Sequence, residues 1–112
     1  MNPFDDTESL PPIAENQLPA DSGWLFPEYT FEKMSLGEYD GVIIERILEK
    51  GSWAQLRWLF ATYGKEDVAS WVRNHGFRLL SKRSFSLWKS VLDIHDYFAP
   101  DWAVEAKAMD IW

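Results

Sequence analysis

Apolar residues recur through the middle of this chain at helical spacing. Ile43, Ile44, Ile47 and Leu48 stand at i, i+1, i+4 and i+5, one face of a 3.6-residue period. That stripe predicts a first helix at about 39–50, opened by a capping box at Ser35 and Glu38 and closed by Gly51 as its C′ residue. Ser52 and Gln55 form a second capping box. The helix behind it runs to about Tyr63 and buries Trp53, Leu56, Leu59, Phe60 and Tyr63, with Trp58 off that face. A third helix at about 66–74 carries Val68, Trp71, Val72 and His75 on one stripe and stops at Gly76. Phe77–Leu80 is read as a link to Ser81, the N-cap of a fourth helix at about 82–95. Its face is Phe85, Trp88, Val91, Leu92 and His95. Pro100 and Asp101 suit the first turn of a final, weaker helix at about 100–109.

The first 27 residues show neither period. They hold five of the six prolines, Pro3, Pro11, Pro12, Pro19 and Pro27. Such a stretch buries too little apolar surface to offset its ordering entropy, so it is expected to be a flexible acidic arm. Trp24–Phe31 follows as an aromatic, extended segment, with Phe26 held out of helix by Pro27. No strand pattern occurs. The expected fold is all-α, a compact bundle of four to five short helices with an extended acidic N-terminal arm. The expected organisation is an arm at 1–23, a helical domain at 24–95 and an acidic C-terminal helix or tail at 96–112. Helices this short need packing to hold them.

Charge changes the picture. Residues 1–40 carry net −8, residues 41–92 net +5 and residues 93–112 net −4, which leaves −7 over 112 residues. A basic centre thus lies between acidic ends, an asymmetry that speaks to partners rather than fold. Aromatic residues make up 16% of the chain and seven of them are Trp, more than a small core needs. Part of that set is expected at an interface, where Trp and Tyr concentrate. The segments suited to a partner are the arm and the aromatic stretch, through Phe4, Asp5, Asp6, Trp24, Phe26, Tyr29 and Phe31, together with Trp58, Trp102 and Trp112.

Catalytic chemistry finds no support. The absence of cysteine removes thiolate metal sites, disulfides and a Cys nucleophile. His75 and His95 close apolar stripes and have no metal-ligand spacing around them. The serines show no nucleophile elbow, and there is no phosphate loop. The reading is not an enzyme, with no catalytic residue, no metal and no cofactor. The N-terminal residues do not read as a secretory signal, and no apolar run reaches the ~18 residues of a membrane span. A soluble, cytoplasmic protein with no membrane partner is expected.

The basic centre supports a nucleic-acid reading. Lys82–Lys89 resembles a DNA-recognition helix, with Arg78, Lys82, Arg83 and Lys89 as the residues that would meet phosphate. Two features count against it. The link from about Asn74 to Ser81 exceeds the 3–4-residue turn of a helix-turn-helix, and the acidic ends compete for the same basic face in the isolated chain.

The block from Leu25 to Ile94 resembles a small bacterial family of uncharacterised helical proteins. The resemblance rests on Leu25-Phe26 with Tyr29, on the run Val42–Gly51, on Arg57-Trp58-Leu59-Phe60 leading to Tyr63-Gly64, and on Leu80–Arg83 followed by Phe85 and Trp88. Members of that family are encoded beside nucleotidyltransferase-like toxins of the AbiEii kind. The resemblance implies an antitoxin that binds and neutralises such a toxin by direct protein contact, and it supplies no catalytic residue. Two alternatives stand beside it: a DNA-binding, helix-turn-helix-like regulator using the helix at 82–95, and a structural homodimer in which surplus aromatics pair across a two-fold axis.

Overall fold

The computed structural model describes residues 10–97. Over that span the chain is all-α. Its helices are α1 (Asp40–Lys50), α2 (Trp53–Tyr63), α3 (Lys65–Trp71), α4 (Phe77–Leu79) and α5 (Lys82–Val91). A π-helical turn at Val72–Gly76 joins α3 to α4, and 3-10 turns occupy Gly23–Leu25 and Phe31–Lys33. Among the described residues there is no strand, only an isolated bridge between Ile13 and Pro19. The chain divides into two units, Met1–Val68 and Ala69–Trp112. The expectations placed on Phe4, Asp5, Asp6, Trp102, Trp112 and the helix at 100–109 lie outside the described residues.

In the first unit, α1 packs against α2 and against the Gly23–Leu25 turn. The stripe Ile43, Ile44, Ile47 and Leu48 is buried as its spacing requires. The cap of α1 differs from expectation. Tyr39 is the N-cap and makes no side-chain bond, while the Asp40 carboxylate accepts from the Gly41 N–H at 2.7 Å. Residues 36–38 form a turn instead, so Ser35 and Glu38 never face one another as a box. Gly51 caps the far end with φ −70°, not in the left-handed region of a C′ glycine. It is glycine for want of room: a Cβ there would lie 2.6 Å from the Ile47 carbonyl oxygen. Gly64, at φ +89°, is the glycine whose conformation itself stops a helix.

The box opening α2 forms in full. Ser52 Oγ accepts from the Gln55 N–H at 3.1 Å, and Gln55 Oε1 accepts from the Ser52 N–H at 2.9 Å. The expected face of α2 needs correction. Trp58 is buried, edge-on to Tyr63 at 6.1 Å, and Trp53 is 61% exposed. Gln55, Leu56, Trp58, Leu59 and Phe60 are all buried, which at 3.6 residues per turn spans more than half the circumference. A helix covered on two sides has no single stripe to read. Trp53, in the first turn, has no preceding turn to lie upon.

Residues 10–23 are part of this unit's fold, not an arm standing clear of it. Leu18 is fully buried, a placement that contributes about 1.5–3 kcal/mol. Asn16 Nδ2 donates to the Phe31 carbonyl at 2.7 Å, Ser22 Oγ donates to the Pro19 carbonyl at 2.7 Å, and Gln55 Nε2 donates to Asp21 Oδ1 at 3.1 Å. Sequence periodicity misses them because turns and single long-range bonds have no period.

In the second unit, the helix does not end at Gly76. The π turn inserts one extra residue into the register, so Val72 and Phe77, five apart, are both buried and His75 turns outward against the Trp71 ring. Gly76 admits the close approach of Phe85, whose Cδ1 would lie 2.9 Å from an added Cβ. Phe77 and Leu80 are therefore core residues, not a link, and only Leu80 and Ser81 separate α4 from α5.

Ser81 caps α5 as expected, accepting from the Ser84 N–H at 3.2 Å. The helix stops at Val91, earlier than the expected end near His95. Asp93 adopts φ +57°, and the Ile94 N–H bonds back to the Lys89 carbonyl at 2.9 Å, the long closing bond of a left-handed C-cap. Phe85, Trp88 and Leu92 are buried as the stripe demands, but Val91 is exposed. His95 lies beyond the helix, its side chain 85% exposed and 2.9 Å from Asp93 Oδ1. It closes no stripe.

Candidate partner-binding surface

The residues singled out for a partner separate sharply by burial. Phe26, at 1% exposure, and Trp58, at 5%, are core side chains and present no surface. Trp24 is 59% exposed. Tyr29 sits at the edge of exposure, packed edge-on to Tyr39 at 5.4 Å. Phe31 is half-buried. Trp53, assigned to the core by its helical position, is instead the most exposed tryptophan among the described residues. Its place in the first helical turn was the signal available for that.

Hydrogen bonds fix the segments that carry Trp24 and Trp53. Trp24 is the middle residue of the Gly23–Leu25 turn, between buried Ser22 and buried Leu25 and Phe26. The Arg46 guanidinium of α1 grips the following segment. Its Nη1 donates to the Leu25 carbonyl at 2.8 Å and to Glu28 Oε1 at 2.9 Å, and its Nη2 donates to Glu28 Oε2 at 2.6 Å. This two-pronged pairing, with a backbone hydrogen bond of Glu28 beside it, holds the Glu28 carboxyl down at about 2. Trp53 stands two residues before Gln55, whose amide binds Asp21, three residues before Trp24. One hydrogen bond thus ties the two tryptophan-bearing segments together. Rigid aromatic side chains lose little entropy on contact, which is what makes them effective anchors.

The stretch of chain that carries Trp24 and Trp53 is acidic. Residues 10–68 carry ten acids and five bases. The second unit reverses the sign, with five bases and two acids over residues 69–97. Arg78, Lys82 and Arg83 are exposed there. Lys89 is half-buried, its Nζ 4.7 Å above the Phe85 ring and 4.8 Å from the Tyr97 ring centre. Tyr97 in turn stacks on Phe77 at 5.6 Å and meets Phe85 edge-on at 5.0 Å. Lys89 therefore closes an aromatic cluster, and Tyr97 belongs with the helical domain whose expected end was residue 95.

Among the described residues no group of three His, Asp or Glu side chains is arranged to hold a metal ion, and no helix is long and apolar enough to cross a membrane. Residues 22–72 match a family of unknown function (DUF6922). The match takes in Trp24 and Trp53, the Arg46 clamp and the Ser52–Gln55 box, and it ends before α4 and α5. No curated protein and no solved structure matches the chain.

Proposed function

We propose that this chain is a non-catalytic, antitoxin-like protein of the cytoplasm. It binds a nucleotidyltransferase-type toxin directly and neutralises it. The observation that carries the reading is the pair of exposed tryptophans, Trp24 and Trp53, on hydrogen-bonded segments, with twice as many acids as bases over residues 10–68. Exposed aromatic anchors are the side chains that dominate binding energy at protein interfaces. An acidic surround complements a basic groove that binds nucleotide or RNA, speeding encounter and fixing register. Occupation of such a groove excludes substrate without any chemistry by the inhibitor.

Co-expression of the chain with a nucleotidyltransferase encoded beside it tests the proposal. The expected result is a co-purifying complex and rescue of growth. The W24A/W53A variant is expected to lose rescue while keeping its thermal midpoint. Absence of a complex, or full rescue by W24A/W53A, would remove the proposal. A stable self-associated species with no complex would favour the homodimer instead.

A further inference from the structure

From Val68 to Leu92 the chain contains no acidic residue, although 18 of its 112 residues are acidic. The same run holds Arg73, Arg78, Lys82, Arg83 and Lys89. The structure gives these five different work. Arg73 lies 3.8 Å from Asp96, and Lys89 is seated over aromatic rings. Arg78, Lys82 and Arg83 are exposed and flank the two-residue turn Leu80–Ser81. Phe85, Trp88 and Leu92 anchor α5 on its inner face, while Lys82, Arg83, Ser86, Leu87 and Ser90 are exposed. The outward face of α5 therefore carries cations, hydroxyls and the apolar side chains of Leu87 and Val91, and no carboxylate.

We infer that the second unit is a docking surface for duplex DNA, with α5 as the element that enters the major groove and Arg78, Lys82 and Arg83 as phosphate contacts. A long link between the helices would argue against this, but π-turn continuity into α4 removes that link. What remains is a short turn between two helical segments, the arrangement that sets a second helix into the groove. Arginine, lysine and serine are the usual phosphate donors, and B-DNA's major groove admits one helix. The negative net charge of the chain resides elsewhere: residues 69–97 are net positive. Lys89 is a positioning residue here, because it braces the cluster that seats α5.

The test is fluorescence anisotropy of a labelled mixed-sequence DNA duplex with the full chain, over a series of salt concentrations. Three phosphate contacts predict a log–log slope near −2.7, at about −0.9 each. R78Q/K82Q/R83Q is expected to abolish the salt-dependent binding, and R78K/R83K to retain it because charge carries the contact. If the triple Gln variant loses its thermal transition, K82Q and R83Q measured singly read the same quantity, each lowering the slope by about one. No binding at the lowest salt, or an unchanged slope in these variants, overturns the inference. Displacement of the duplex by poly-glutamate at equal charge concentration also overturns it, and assigns the face to an acidic protein.

Discussion

Different physics holds each of the two units together. The first is a network of directional ties between distant segments: Arg46 on Leu25 and Glu28, Gln55 on Asp21, Asn16 on Phe31 and the Tyr63 hydroxyl donating to the Leu36 carbonyl. The second relies on ring packing, with Phe77, Phe85 and Tyr97 in mutual contact and Lys89 above two of them. Over the described residues they also differ in sign, 10–68 acidic and 69–97 basic. Polar ties fix where exposed side chains stand, which suits the proposed use of Trp24 and Trp53 as partner contacts. A ring cluster beneath one helix leaves that helix's outer face open for a groove.

Core truncation gives the largest contrast. Phe85→Ala removes the centre of the ring cluster and is expected to cost about 3–5 kcal/mol. Leu18→Ala is expected to cost about 2–5 kcal/mol, because Leu18 is fully buried. Chemical denaturation measures both. A loss below ~1 kcal/mol for Leu18→Ala would return residues 10–23 to a passive arm.

What the sequence made legible follows this same division. Amphipathic stripes placed α1 and α5, and Ser52 with Gln55 placed α2, because those signals are local and periodic. Trp53 and Trp58 were exchanged because α2 is buried on two sides and offers no single stripe. The π turn at Val72–Gly76 left no mark in composition, and it moved His75 outward and made Phe77 a core residue. Of the surface residues, Trp24, Arg78, Lys82 and Arg83 were recognisable from type and charge. Phe26 was not recognisable as core, since an isolated aromatic beside a proline has no period to mark its side.

Glycine substitutions give a smaller and sharper contrast. Gly76→Ala must push on the Phe85 ring, at 2.9 Å from the added Cβ, and is expected to cost about 1–3 kcal/mol. Gly37→Ala meets nothing within 4 Å and is expected to stabilise by about 0.4–1 kcal/mol. Thermal denaturation of the pair checks the sign of each. Equal and small effects would show that Phe85 gives way easily and that the ring cluster is loosely packed.

The directional ties of the first unit have their own signatures in pH. Burial, with the Asp40 charge adding to it, pushes the Tyr63 phenol up to about 12 from an ordinary 10.0. The folded state therefore holds the neutral phenol more tightly than the unfolded chain does. Stability from this source is intact below pH 10 and lost as pH rises toward 12. Absorbance titration of the phenols should show Tyr63 ionising after the ordinary range, and Tyr63→Phe should remove that late step. Glu28 works in the opposite direction. Its carboxyl is held at about 2 against an ordinary 4.5 by Arg46. Its contribution is present above pH 4.5 and declines as pH falls toward 2. Glu28 is half-exposed, so solvent screening keeps this the smallest of the effects. Glu28→Gln should flatten the acid limb of the stability curve, and an unchanged limb would show that the Arg46 clamp holds Leu25 alone.

The first unit, acidic over residues 10–68, is proposed to meet protein, and the second, basic over residues 69–97, to meet DNA. A crossed binding titration tests this division most directly, with the parent, W24A/W53A and R78Q/K82Q/R83Q each measured against the neighbouring nucleotidyltransferase and a DNA duplex. W24A/W53A is expected to lose the enzyme and keep the duplex, and R78Q/K82Q/R83Q to lose the duplex and keep the enzyme. Loss of both partners by either folded variant, or of neither by both, would contradict this division.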